Sequence, residues 1–106
     1  MPPIETDFTA PLDTQALNYI RMRFTKSRGQ ILSFLVQYET IEDGERVVVT
    51  RYDTAHGRAH QDIFYRSGRK VKVWLGDDLS YNEHMQRAVR DIRMSWSHYR
   101  ERYFRG

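Results

Sequence analysis

The chain has no cysteine. Disulfides, thiolate metal sites and a cysteine nucleophile are therefore excluded. Its three prolines all fall at positions 2, 3 and 11, so no proline interrupts the chain after that point. No apolar run approaches the ~18 residues that a membrane-spanning helix needs. The opening residues, Met1-Pro2-Pro3-Ile4-Glu5-Thr6-Asp7, lack a basic stretch followed by an apolar one, so no secretory leader is expected. A cytoplasmic protein that does not contact membrane is the expectation. There is also no glycine-rich phosphate loop, serine-nucleophile motif, zinc-finger spacing, internal repeat or low-complexity segment.

What is present suffices for one modest core. Of 106 residues, 40% are hydrophobic, with seven Tyr, five Phe and two Trp, which predicts a single ordered domain and leaves little for a second. The net charge of +3 is unevenly spread. Residues 1–16 hold Glu5, Asp7 and Asp13 with no Lys or Arg, a net of −3. Residues 85–106 hold Arg87, Arg90, Arg93, Arg100, Arg102 and Arg105 against Asp91 and Glu101, a net of +4. Such asymmetry fits a basic face for an anionic partner, or a solvated helix surface balanced by an acidic segment.

Periodicity sets the elements. Residues 1–16 show no apolar period and read as an irregular arm. From residue 17 the pattern alternates: Ile20, Met22 and Phe24 point one way, Arg21, Arg23 and Thr25 the other. A second strand over 30–40 places Phe34, Val36 and Tyr38 on one face. Asp43-Gly44 predicts a hairpin turn. Strands over 46–53, 61–66 and 70–75 follow, with a loop over 54–60 between the first two. Ser80 and Glu83 form a capping box, and Met85, Ala88, Val89, Ile92, Trp96, Tyr99 and Tyr103 recur at helical spacing. The expected fold is α+β, an antiparallel meander of about five strands over residues 17–76 with one long C-terminal helix, 80–104, packed on a face.

Potential chemistry concentrates in Arg51-Tyr52-Asp53-Thr54-Ala55-His56-Gly57-Arg58-Ala59-His60. Imidazoles accept and donate protons near neutrality, arginines hold phosphate, and a carboxylate orients a histidine. His56 and His60 are the candidate proton-transfer pair, with Asp53 as orienting group and Arg51 and Arg58 on phosphate. Together these suit metal-independent RNA cleavage, in which the 2′-hydroxyl is the internal nucleophile, and equally phosphate binding without catalysis. Asp53, His56 and His60 also have the donor chemistry of a transition-metal site. However, Gly57 between the histidines argues against the helix that would put them on one face, and neither metal nor cofactor is assigned. An ordinary polar hairpin loop is the third alternative. Arg90, Arg93 and Arg100 form a second candidate phosphate-binding stripe, on the helix. His84 and His98 are expected at the surface, and Trp74 and Trp96 in the core.

The segment Arg51-Tyr52-Asp53-Thr54-Ala55-His56-Gly57, followed by His60, resembles the Arg-aromatic-Asp-Asn-Ala-x-His core and downstream His of the TumE-type toxin family, with Thr54 in place of Asn. The likeness covers about a dozen residues and the order of strands followed by a helix. It implies a toxin of a toxin–antitoxin pair acting on RNA, with an antitoxin protein as partner and Arg51, Asp53, His56 and His60 at the matching positions. The alternative is a non-enzymatic module whose sheet or basic helix binds nucleic acid or a protein partner, with the His/Arg loop merely structural. A homodimer is compatible with either, since a second copy could cover exposed strand edges.

Overall fold

The computed structural model describes residues 2–106. Six strands come first: β1 (Ile4–Pro11), β2 (Asn18–Ser27), β3 (Gln30–Glu42), β4 (Glu45–Asp53), β5 (His60–Phe64) and β6 (Lys70–Trp74). The helix α1 (Tyr81–Arg105) follows. The strands form one antiparallel sheet in sequence order, a meander, as the short connections require. Two of the hairpins, Arg28-Gly29 and Asp43-Gly44, have both turn residues at positive φ, which matches the right-handed twist of the flanking strands.

The expected meander with a long helix is therefore the fold, with one strand more than expected. Residues 4–11 are not an irregular arm. They pair with β2 along their whole length, from Ile4 opposite Lys26 to Pro11 opposite Tyr19. An edge strand tolerates proline because its outward N–H needs no partner. Asp7 adds a bidentate contact to Arg21, at 2.8 and 3.1 Å, and this guanidinium holds the Asp7 carboxyl below its ordinary pKa.

The helix covers one face of the sheet only. Ile20, Phe34, Val36, Tyr38 and Tyr52 meet Ala88, Ile92 and Tyr103 there. Tyr81 and Trp96 of α1 lie edge-on to Phe34 and Tyr38. The capping box is formed: Ser80 Oγ accepts from Glu83 N at 3.2 Å, and Glu83 Oε1 accepts from Ser80 N at 3.1 Å. Among the described residues no helix is long and apolar enough to cross a membrane.

Two expectations about single side chains fail. His84 is not on the surface: it is buried, with Nε2 2.8 Å from the Gly76 carbonyl oxygen. Trp74 is not in the core: it is 47% exposed, because β6 is an edge strand and residue 74 faces away from α1. His98 is exposed and Trp96 is half-buried against Tyr38, as their helix positions suggest.

Candidate functional site

Side chains alternate across a strand, so residues opposite one another in register share a face. On the face away from α1 the register lines up two transverse rows. One runs Asp7–Arg23–Leu35–Asp53–His60–Trp74 across all six strands. The next runs Thr9–Arg21–Gln37–Arg51–Asp62–Lys72. The helix takes the apolar rows and lies on the opposite face from these polar rows.

The loop between β4 and β5 fixes where the rows meet. Asp53 Oδ1 accepts from Ala55 N at 3.0 Å, an Asx-type turn that ends β4. Thr54 ties the turn to β3: its N–H donates to the Phe34 carbonyl at 3.2 Å, and its Oγ1 accepts from Phe34 N at 3.0 Å. Residues 55–57 make a single 3₁₀ turn with His56 at φ 69° and Gly57 at φ 73°. The chain then re-enters the sheet with His60 opposite Asp53.

The result is a buried polar cluster. His60 is 1% exposed, Asp62 5% and Asp53 9%. The His60 Nε2 atom lies 2.9 Å from Asp53 Oδ1 and 3.5 Å from Asp62 Oδ2. Nδ1 on the other side of the ring lies 3.1 Å from the Arg58 carbonyl oxygen, which can only accept, so Nδ1 is the donor. Asp62 Oδ1 is buried and, among the described residues, has no hydrogen-bond partner. The Trp74 ring leans edge-on over His60, with centroids 5.3 Å apart.

The other candidates spread around this cluster. Arg51 lies on the same face, but its Nε donates to Gln37 Oε1 at 2.9 Å and its guanidinium sits near the Phe64 ring. His56 is exposed on the loop and does not join His60. Arg58 is half-exposed over the Trp74 ring, 5.0 Å from its centroid. The structure therefore brings Asp53 and His60 together, with Arg51 and Arg58 close by in the same rows and loop. It does not bring together His56 and His60, the expected proton-transfer pair. Arg90, Arg93 and Arg100 belong to α1, on the opposite layer of the molecule. Arg100 lies 4.8 Å over Phe104, while Arg90 and Arg93 face solvent.

Two members, Asp62 and Trp74, carry no site role on the sequence alone, although Asp62 falls within the polar segment from Arg51. Asp62 shares a face with His60 by simple i, i+2 alternation, and Asp53 sets the register across the hairpin. That signal was available once the loop had been bounded at 54–59. The exposure of Trp74 depends on α1 packing against the other face. Beside the cluster, an open cavity of about 350 Å³ is lined by Arg23, Leu35, Asp53, Thr54 and their neighbours, so Asp53 stands between cluster and solvent.

A family model described as "Domain of unknown function (DUF7718)" matches residues 3–106. No curated protein and no solved structure matches the chain.

Proposed function

The chain belongs to the DUF7718 family, and from its own geometry we propose that it is an RNA-targeting protein that binds single-stranded RNA on the helix-free face of its sheet. One observation carries this reading. Trp74 is 47% exposed on that face, with the Arg58 guanidinium 5.0 Å and the Lys72 ammonium 5.1 Å from its ring centroid. An exposed indole stacks an unpaired base whatever its sequence, and flanking cations meet the phosphates on either side. Arg58 is held only loosely by Asp77, at 3.7 Å between exposed groups, so it is free to turn toward phosphate.

RNA is also the target, and an antitoxin protein the partner, implied by the likeness of the Arg51–His60 segment to TumE-type toxins. The reading puts the protein's work in the cytoplasm. It is a binding function. Cleavage by a His56–His60 pair would need both rings at one phosphate, and the His60 ring is enclosed with Nδ1 engaged.

The test is fluorescence anisotropy with a labelled single-stranded RNA over a range of salt concentrations. Trp74→Ala is expected to weaken binding by about ten-fold, from a stacking contribution of roughly 1–3 kcal/mol per base. Arg58→Glu with Lys72→Glu is expected to weaken it further and to flatten the log–log salt dependence by about 1.4, at ~0.7 per phosphate contact. Reversing Arg90, Arg93 and Arg100 to Glu should change affinity little. Equal binding by Trp74→Ala and the unaltered chain, with loss on helix reversal, would move the interface to α1 and end this proposal.

A further inference from the structure

We propose that Asp53, His60 and Asp62 form a binding site for one divalent transition-metal ion of mixed nitrogen and oxygen preference, Zn²⁺ or Mn²⁺. One ligand atom from each of the three residues lies within 4.8 Å of the others. The argument rests on this arrangement and is independent of RNA binding.

The first observation is that three lone-pair-bearing atoms converge. With Nδ1 donating to the Arg58 carbonyl, a neutral His60 ring turns the bare Nε2 lone pair toward the two carboxylates. Lone pairs converging in a buried place repel unless a proton or a cation lies among them. A histidine whose far nitrogen donates to a backbone carbonyl is also the usual arrangement of a metal ligand, since that bond fixes the tautomer and the ring orientation.

Asp62 supplies the second observation. The residue is 5% exposed, and among the described residues its Oδ1 has no hydrogen-bond partner. A buried charged oxygen left unpaired costs several kcal/mol, so it points to a ligand. No lysine or arginine lies within ion-pair distance of it: among the described residues, the basic side chain that reaches Asp53 and Asp62 is the His60 ring alone. A divalent ion would neutralise both carboxylates.

Distances agree as well. Bonds of ~2.1 Å to nitrogen and oxygen put neighbouring ligand atoms roughly 3.0 Å apart in an octahedron and roughly 3.4 Å apart in a tetrahedron. The two Nε2–Oδ separations, 2.9 and 3.5 Å, lie about that range, and all three ligand atoms lie within 4.8 Å of one another. Asp53 also lines the open cavity, which gives an ion and its remaining water ligands a way in. The metal alternative open from the sequence, and not assigned there, is Asp53, His56 and His60. The structure replaces His56 with Asp62, because β5 alternation and not the loop supplies the third ligand.

The experiment takes the full chain, stripped with chelator and dialysed, and titrates ZnCl₂ and MnCl₂ by calorimetry without RNA. Saturable uptake of one ion per chain is expected for at least one of the two metals. Asp62→Asn keeps the side chain's shape and should weaken uptake by about ten-fold or more, while His56→Ala leaves it unchanged. Nitrogen-15 spectra of the histidine rings give a second readout that does not need a variant to fold. On metal addition the His60 Nε2 resonance should shift while Nδ1 keeps its proton. No saturable uptake of either ion at about ten equivalents, equal uptake by Asp62→Asn and the unaltered chain, or a His60 ring carrying protons on both nitrogens in the presence of metal would overturn the assignment. Loss of RNA binding in Trp74→Ala bears on the other proposal and leaves this one untouched.

Discussion

His56 holds its backbone at φ 69°, and Gly57 follows at φ 73°. An L-residue in this region carries roughly 1–2 kcal/mol of strain, whereas glycine carries almost none. His56 is exposed and does not join the buried cluster, so little compensates it. His56→Gly is therefore expected to stabilise the fold by about 0.5–1 kcal/mol, after roughly 0.4–1 is subtracted for glycine's greater freedom when unfolded. Gly57→Ala should do the reverse and cost about 1 kcal/mol, through backbone strain alone, because an added Cβ would meet nothing within 4 Å. Urea unfolding of the two variants checks the pair. Loss of stability in His56→Gly would show that the imidazole holds the turn. The positive φ also explains why the residue was misplaced in the sequence reading. Composition marks His56 as part of a reactive run, but a left-handed turn carries its side chain out of the row that His60 and Asp53 occupy. Residue type was legible at this position, while direction depended on a dihedral angle that no periodicity encodes.

Most elements were legible for a local reason. β2 and β3 alternate, β4 is a β-branched run and α1 has its cap and stripe, because each lays one face on a core. β6 alternates in residue type although it is exposed at every position but Val71. β1 was not legible because it is an edge strand exposed along most of its length, so burial imprints no period on it. The same logic governs Trp74 and His84. Whether an aromatic on β6 is covered depends on which face α1 chooses, which is a non-local fact. The docking of α1 has its own polar anchor, hidden in an apolar stripe. Tyr52 donates to Asp91 Oδ2 at 2.6 Å, and Tyr99 donates to the same oxygen. Gln61 Nε2 of β5 donates to the Tyr99 hydroxyl at 3.2 Å. One carboxylate thus joins helix to sheet through β4 and β5. Asp91→Ala is expected to cost about 2–3 kcal/mol, since the Tyr52 hydroxyl would lose its charged acceptor inside the interface. Arg87→Ala, an exposed neighbour one turn away, should stay within about 0.5 kcal/mol. Chemical denaturation of the two variants separates the anchor from a generic loss of helix charge.

At the scale of the whole molecule the two faces of one sheet divide the work. The helix side holds the apolar core and the buried tyrosines, while the bare side holds the charged rows and the exposed tryptophan. The consequence is a stability with a marked alkaline edge. Burial pushes the Tyr38 hydroxyl up from 10.0 to about 12. Burial, and the carboxylate of Asp91 beside them, also raise Tyr52 and Tyr99. A tyrosine is charged when deprotonated, so a raised value means that the folded state keeps the proton longer than the unfolded chain does. The unfolded chain binds fewer protons above pH 10, and stability falls there as pH rises. The contribution is therefore present in full below the unfolded value and is lost between about pH 10 and 12 for Tyr38, at ~1.4 kcal/mol per unit, or roughly 2–3 kcal/mol. Tyr52 and Tyr99 extend the loss in the same direction. Urea midpoints measured from pH 8 to 11, with tyrosinate absorbance followed in parallel, should show stability falling above pH 10 and the buried rings ionising only as the chain unfolds. Tyr38→Phe should lower stability at neutral pH by about 1 kcal/mol, through the lost bond to Asn18. It should also flatten the alkaline fall, because one proton has left the linkage. Asn18 keeps Thr40 as a donor at 2.9 Å, so the variant is expected to fold. An alkaline fall as steep in Tyr38→Phe as in the unaltered chain would mean that this ring exchanges its proton without unfolding, and that the core beneath α1 opens to water.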